Sequence, residues 1–246
     1  MKVLLDVGAH FGQTTEIALN PVWGFDQIHA FEPSTNSFKK LHQIKSKRLK
    51  CYRYGLFSKD IELPLIGSGQ VGASVYDKKI QSIESQTIEM ISLRSVNDWI
   101  VDNVDFSEAQ VFLKLNCEGS EVDILHSLID SKLINNFDSI YIDFDIRKIP
   151  GHEHRQRQIE EELEKSSVRY STWENLFDSL TEVERNIPYF TFTKWLESEC
   201  KQVKFTRLSM IRYKLRLHSS WVRILRILGS RITPRFVKRV LHRAGV

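Results

Sequence analysis

Residues 3–14 constrain the fold of this chain more than any other segment. A short apolar run continues through Asp6, the chain turns at Gly8, and after Gly12 a helix is predicted to begin at Gln13. This order is typical of a buried parallel strand that leads through a glycine-bearing loop into a helix N-terminus, an arrangement that binds nucleotide cofactors. The glycine spacing is G-x-x-x-G, which differs from the G-x-G-x-x-G of nicotinamide-binding folds.

The loop after this first strand suits a cofactor that carries an amino-acid moiety, such as S-adenosylmethionine. Gly8 would let the backbone approach such a ligand, because glycine has no side chain. The N-terminus of the following helix would attract the carboxylate of the ligand. The first strand and its loop therefore predict the amino-acid end of a cofactor site.

A second strand is predicted over residues 27–33, and it also ends in an acid. Glu32 follows Gly12 by twenty residues, close to the spacing of roughly 20 at which the acid of a Rossmann-type fold binds ribose. A carboxylate can accept hydrogen bonds from both vicinal hydroxyls, and Pro33 then turns the chain away from the strand. The alternative is that Asp6 and Glu32 only cap loops. The two acids together, at this spacing, favour cofactor binding.

Strand and helix patterns alternate through the first 145 residues, which predicts a mainly parallel sheet covered by helices. Ser34 and Ser120 are the expected N-caps of two of these helices. The other predicted elements are strands at 49–54, 109–115 and 139–144, hairpin or edge strands within 61–93, a helix at 152–165 with Ile159 and Leu163 facing inward, and a packed subregion or substrate-side cap at 168–200.

The chain resembles the FkbM-type methyltransferases, a class I family that uses S-adenosylmethionine. The matching stretches are residues 6–12, 31–33 and 112–125, with weaker matches at 54–60, 72–75 and 88–99. The resemblance runs in order from residue 3 to about residue 145, and its most diagnostic block is Lys-Leu-Asn-Cys-Glu-Gly at 114–119. It implies a Rossmann-like α/β fold with a mainly parallel sheet and flanking helices. One departure is Asn116, where the family usually has Asp.

The expected cofactor site draws on the ends of several strands. The methionine-side loop is assigned to Asp6, Gly8, Ala9, His10, Gly12 and Gln13, the ribose side to Glu32 with Pro33 and Ser34, the adenine side to Gly55 and Leu56, and the methyl-donor end to Asn116. Glu118 is the candidate catalytic residue, as a base or as a carboxylate that orients the acceptor hydroxyl. The alternative for Glu118 is that it braces the loop before Ser120. His10 is expected to act through shape and hydrogen bonding, with a general base as the other option.

The side chains near the ends of the fourth and fifth strands offer oxygen ligands of the kind that Mg²⁺ prefers: Asn116, Glu118, Asp143 and Asp145. Loss of the family's Asp at 116 weakens that reading, so no metal is predicted. His152 and His154 would not share a helix face at their spacing, so they are not expected to bind a metal ion together.

The chain has no Asn-Pro-Pro-Tyr or Asp-Pro-Pro-Tyr sequence, which disfavours methylation of base amines. The resemblance implies O-methylation of a small-molecule acceptor, such as a sugar, a glycan, a lipid-linked intermediate or a polyketide-like metabolite.

Charge divides the chain of 246 residues into two predicted parts. Thirteen of the 35 Lys and Arg residues, and none of the 31 acids, fall in residues 201–246, which leaves 22 bases against 31 acids in residues 1–200. We therefore expect a methyltransferase domain at 1–200, with core motifs at 3–145, and a basic amphipathic helical tail at 201–246.

Three cysteines are too few for a disulfide framework, and no apolar run reaches the roughly 18 residues of a membrane span. These features predict a cytoplasmic enzyme, and they leave its oligomeric state open.

The tail has apolar and aromatic residues opposite arginines in two helical segments, 221–228 and 235–243. Its apolar face could pack on the catalytic domain or on a second subunit. A second option is peripheral contact of residues 207–246 with an anionic membrane, and binding to nucleic acid is a less favoured third.

Two other functions of the chain stay open at this point. One is an RNA-directed methyltransferase that uses the tail to hold phosphate. The other is a non-catalytic binding or scaffold protein on a methyltransferase fold, for which Asn116 is the supporting feature.

Overall fold

Strands alternate with helices through the computed structural model, which describes residues 1–66 and 88–200. The strands are β1 (Lys2–Val7), β2 (Gln27–Phe31), β3 (Leu49–Tyr52), β4 (Gly55–Phe57), β5 (Ile61–Ile66), β6 (Ile88–Ser95), β7 (Gln110–Leu115), β8 (Ser139–Ile142) and β9 (Tyr170–Thr172). The α-helices are α1 (Gln13–Ala18), α2 (Thr35–Leu41), α3 (Val96–Asn103), α4 (Glu121–Asp130), α5 (Glu153–Lys165), α6 (Trp173–Asp178), α7 (Glu182–Arg185) and α8 (Phe190–Glu199). The predicted tail at 201–246 lies outside the described residues, so its helices and its boundary stay predictions.

Six parallel strands form the main sheet, in the order β3-β2-β1-β7-β8-β9. The order reverses between β1 and β7, because β1 pairs with β2 on one side and with β7 on the other. Parallel strands bring their carboxyl ends to one edge, so the loops that follow β1, β2, β7 and β8 gather at this switch point. The expectation of an α/β fold with a mainly parallel sheet and flanking helices is confirmed, and the arrangement is compatible with a Rossmann-like fold.

A second, smaller sheet has the order β4-β6-β5. Strands β5 and β6 are antiparallel, which confirms the predicted hairpin character of this segment, and β4 pairs with β6 in parallel. Residues 67–87, which include the predicted glycine-rich loop, lie outside the described residues. The predicted strand at 49–54 ends earlier, at Tyr52, and β4 begins a separate sheet at Gly55.

The core forms because strands β1, β7 and β8 are apolar and are covered by helices on both faces. Ile159 and Leu163 on α5 are fully buried, as predicted. On the side of α8, Trp195 is fully buried and its indole Nε1 donates a hydrogen bond of 2.9 Å to Ser139 Oγ. The segment 168–200 therefore packs directly on the main sheet. Within the described residues, no helix is both long enough and apolar enough to cross a membrane.

The two predicted side-chain caps are wrong in detail. Ser34 and Ser120 precede α2 and α4, but neither hydroxyl makes a capping hydrogen bond. At α2, the Glu89 carboxylate accepts a hydrogen bond from Thr35 N at 3.0 Å. At α4, the Glu121 carboxylate binds the preceding backbone. Glu89 therefore binds the first N–H group of α2 in place of the Ser34 hydroxyl, whereas Glu121 binds N–H groups of the loop before α4 and not those of the helix.

Truncation of the buried face of α5 tests this packing. We expect Ile159→Ala to lower the free energy of unfolding by about 2–5 kcal/mol, because it removes buried methyl groups and leaves a cavity. Val101→Ala is the matched control, since Val101 is 69% exposed on α3, and we expect it to change stability by no more than about 0.5 kcal/mol. Urea unfolding of both variants measures the difference, and equal losses would contradict the assignment of α5 to the core.

Candidate functional site

A cavity opens at the carboxyl edge of the main sheet, at the switch point between β1 and β7. The structure brings eleven of the thirteen predicted site residues to its lining: Gly8, Ala9, His10, Gln13, Glu32, Pro33, Ser34, Gly55, Leu56, Asn116 and Glu118. Asp6 and Gly12 do not line it. Leu65, Ile91 and Leu93 of the small sheet form an apolar wall, and Tyr189 lines the cavity from the loop before α8.

Glu32 is held at the end of β2 by two backbone N–H groups. His10 N donates to Oε2 at 2.8 Å, and Ser34 N donates to Oε1 at 2.9 Å. The side chain braces both loops, as the capping alternative requires, and it also lines the cavity. Each oxygen of an ionised carboxylate has about two acceptor positions, so one position on each stays available. Burial raises the pKa of Glu32 to about 7.

Asp6 lies beneath the cavity and is fully buried. The Thr14 and Thr15 hydroxyls donate to Asp6 Oδ2 at 2.9 and 2.6 Å, and Lys114 Nζ lies 3.0 Å from Oδ1. Lys114 Nζ also donates to the carbonyl oxygens of Val7 and Gly8. Asp6 therefore fixes the start of α1 and neutralises a buried lysine, and it does not line the predicted cofactor site.

The two loop glycines are required by the fold. Gly8 has φ +75°, and a Cβ there would lie 1.8 Å from the backbone oxygen of Asn116. Gly12 has φ +91°, and a Cβ there would lie 2.3 Å from Ile44 Cδ1. Gly8 lines the cavity, whereas Gly12 faces the side chains of α2 and the residues after it. Backbone conformation and close packing therefore explain both glycines, because left-handed φ values favour glycine.

The loop from Asn116 to Gly119 lies beside Gly8 and contributes Asn116, Cys117 and Glu118 to the cavity lining. Glu118 has φ 57° and lines the cavity. The carboxylate of Glu121 accepts hydrogen bonds from Cys117 N at 2.7 Å and from Gly119 N at 3.0 Å. Glu121 thus performs the loop bracing that was the alternative for Glu118. Burial, followed by the nearby charge of Asp145, raises the pKa of Glu121 to about 7.

His10 is uncharged at neutral pH. Burial, followed by the Lys114 charge, lowers its pKa to about 4. Its Nε2 atom is buried and has no hydrogen-bond partner among the described residues. A base with this pKa is poorly matched to proton abstraction near pH 7. The lowered pKa therefore argues against the general base, and the hydrogen-bonding role of His10 stays a prediction.

The predicted site residues do not include Lys114, Glu121 and Tyr189, nor Leu65, Ile91 and Leu93 of the apolar wall. A lysine inside an apolar strand signals a buried partner, because an unpaired buried charge is costly, and this signal could have identified Lys114. Tyr189 adopts φ 57° and belongs to the segment 168–200, for which a packed subregion or substrate-side cap is predicted, although no site role is assigned to Tyr189 itself. Among residues 1–66 and 88–200, no group of three or more His, Cys, Asp and Glu side chains could hold a metal ion.

The raised pKa of Glu121 predicts a pH dependence of stability. Between its ordinary value of 4.5 and about 7, the folded chain holds a proton that the unfolded chain releases. The stabilisation from Glu121 is therefore present at low pH and is lost as pH rises through that window, by roughly 3 kcal/mol.

Glu121→Gln keeps the group uncharged, so we expect its urea-unfolding free energy to fall less from pH 5 to about pH 8 than that of the wild type. The exposed Glu108 offers a matched control, Glu108→Gln, which should keep the wild-type pH profile. An unchanged pH profile in the Glu121 variant would contradict the assignment.

Comparison with known proteins identifies no relative. No protein-family model matches the chain, and neither the curated proteins nor the solved structures contain a significant match. The function therefore has to be inferred from the cavity and its residues.

Proposed function

We propose that the chain is an S-adenosylmethionine-dependent methyltransferase that methylates a hydroxyl group of a small-molecule or glycan acceptor. The observation that carries the proposal is the position of Glu32. Its carboxylate is fixed by two backbone N–H groups at the end of β2, in the same cavity as the loop after β1. Two fixed acceptor oxygens suit the paired hydroxyls of a ribose.

The apolar wall of the cavity suits an adenine ring. Leu56, Leu65, Ile91 and Leu93 are buried hydrophobic residues that line it. At Gly55, a Cβ would lie 2.6 Å from Leu93 Cδ2 and 3.5 Å from Pro33 Cγ, so a larger residue would crowd this wall. Leucine and isoleucine side chains exclude water from a flat, largely apolar ring, and such surfaces are typical of ligand pockets.

The methionine part of the ligand would lie beside the loop after β1 and the Asn116 loop. The buried His10 Nε2 atom has no protein partner among the described residues, and a buried polar atom without a partner is costly. A ligand hydrogen bond at this atom would remove that cost. Residues of this cavity therefore fit the cofactor at three points: Glu32, His10 and the apolar wall.

The chain's own part in the reaction would be positioning and removal of a proton. Bound S-adenosylmethionine supplies a methyl group that is activated by the positive sulfur. Glu118 would accept the proton of the acceptor hydroxyl, because it is the carboxylate on the Asn116 loop that lines the cavity. Tyr189, which also lines the cavity, would contact the acceptor. The choice of a hydroxyl acceptor rests on this carboxylate and on the resemblance to FkbM-type enzymes.

Removal of the Glu32 carboxylate tests the ribose assignment. We expect Glu32→Ala to weaken the affinity for S-adenosylmethionine at least about tenfold, or roughly 1.4 kcal/mol, because charge-assisted hydrogen bonds are lost. Glu62→Gln removes an exposed carboxylate of the small sheet and should leave the affinity unchanged. Calorimetric titration measures both variants. Wild-type affinity in a folded Glu32→Ala protein would remove the assignment.

Substitution of Glu118 tests the catalytic assignment separately. We expect Glu118→Gln to lower the rate of methyl transfer by about 10²–10⁴-fold, the range for loss of a positioned base. The assay follows labelled methyl from S-adenosylmethionine onto a panel of sugar and lipid-linked acceptors. A variant that binds the cofactor and transfers methyl at the wild-type rate would exclude Glu118 as the base.

A further inference from the structure

Asn116 and Asp143 form a side-chain pair that links the ends of β7 and β8. The Asn116 Nδ2 atom donates a hydrogen bond of 3.1 Å to Asp143 Oδ2. Both backbones are anchored by the sheet: Asn116 N donates to the Val7 carbonyl at 3.2 Å, and Asp143 N donates to the Leu115 carbonyl at 2.9 Å. The relative position of the two side chains is therefore set by neighbouring parallel strands. Asn116 lines the cavity, whereas Asp143 does not.

The chemistry of this pair decides which way the Asn116 amide faces. Burial, followed by the charge of Asp145, raises the pKa of Asp143 to about 6, while Lys148 and Arg147 act in the opposite direction. The carboxyl group is accordingly ionised above that pH, and an ionised carboxylate can only accept hydrogen bonds. It must therefore face the NH₂ group of the amide. The carbonyl oxygen of Asn116 is left on the other side, and no described residue donates a hydrogen bond to it.

We propose that Asp143 is a positioning residue that fixes the Asn116 amide, so that its carbonyl oxygen is an uncharged acceptor for the ammonium group of the cofactor's methionine part. This inference rests on the proposed function and adds a recognition group to the same cavity. A carbonyl oxygen accepts from an ammonium donor and disfavours a carboxylate. Glu118, two residues along the same loop, adds negative charge to this wall, which also favours the positive end of an amino acid.

The pair also explains how an asparagine can serve at this position. A carboxylate at position 116 would lie about as close to Asp143 as the amide now does, and two carboxylates at that distance cannot both stay ionised without a cation or a shared proton. The amide avoids this repulsion and still offers one oxygen to the cavity. Ligand recognition at position 116 then needs neither a metal ion nor a proton. The departure from the family residue is thus compatible with a working site.

The test compares two ligands that differ only at the ammonium group. S-adenosylhomocysteine and its analogue without the α-amino group are titrated calorimetrically at about pH 8, above the pKa of Asp143. The neutral sulfur of both ligands removes the long-range attraction between Asp143 and a sulfonium. We expect the wild type to prefer the ligand with the amino group by at least about tenfold, as for a hydrogen bond to a charged donor.

Three variants locate the source of that preference. The preference for the ligand with the α-amino group should fall to about threefold or less in Asn116→Leu. It should fall as far in Asp143→Asn, because an asparagine at 143 no longer dictates the orientation of the Asn116 amide. The double variant should fall no further than Asn116→Leu alone, because Asp143 acts through Asn116. Glu174→Gln is the matched control, since Glu174 also raises the pKa of Asp143 without a contact to Asn116, and it should keep the wild-type preference.

The outcomes separate this inference from the proposed function. A wild-type preference retained in Asp143→Asn, or additive losses in the double variant, would overturn the role of Asp143 while leaving cofactor binding intact. A wild-type protein that binds neither S-adenosylmethionine nor S-adenosylhomocysteine would instead overturn the proposed function and this inference together. Should Asp143→Asn fail to fold, Asp143→Ser serves in its place, because its hydroxyl can donate or accept and leaves the amide orientation undefined.

Discussion

The buried ion pair between Lys114 and Asp6 is the interaction on which the site depends. These residues are register partners on β7 and β1, and both are almost completely buried. The three donors of the ammonium group meet Asp6 and the carbonyl oxygens of Val7 and Gly8. One side chain therefore joins the two strands at the switch point and fixes the start of the loop that follows β1. Removal of either partner would leave an uncompensated charge in the core, which is strongly destabilising.

Around this pair, buried carboxylates shape the loops by accepting backbone N–H groups. Glu32 holds the loops after β1 and β2, and Glu121 holds the loop after β7. Both carboxyl groups have a pKa raised to about 7 by burial, so their backbone hydrogen bonds offset only part of the cost of burying a charge. Of these two carboxylates, Glu32 lines the cavity and Glu121 does not. These carboxylates therefore stabilise the loops around the cavity, and the proposed ligand contacts use the acceptor positions that remain on the Glu32 carboxylate.

The parts of the fold that follow local patterns could be predicted from the sequence. The apolar runs of β1, β2 and β7 and the helix start at Gln13 are local signals, and the structure confirms each of them. Long-range pairing could not be predicted in the same way. The partner of Lys114 is more than 100 residues away, and the loop-bracing acid is Glu121, three residues beyond Glu118. The aromatic composition of 168–200 indicates a packed subregion or a substrate-side cap, but it does not show that Tyr189 is the residue that lines the cavity. The prediction that Asp6 lies at a strand end is correct. Its carboxylate, however, pairs with the buried Lys114 and does not line the cavity.

Calorimetric titration of the purified chain with S-adenosylmethionine, with NAD as the control ligand, tests the central claim most directly. The proposal predicts saturable binding of S-adenosylmethionine and no binding of NAD, because the loop after β1 lacks the glycine spacing of a nicotinamide site. A folded protein that fails to bind S-adenosylmethionine would contradict the account and would favour a non-catalytic role for this fold.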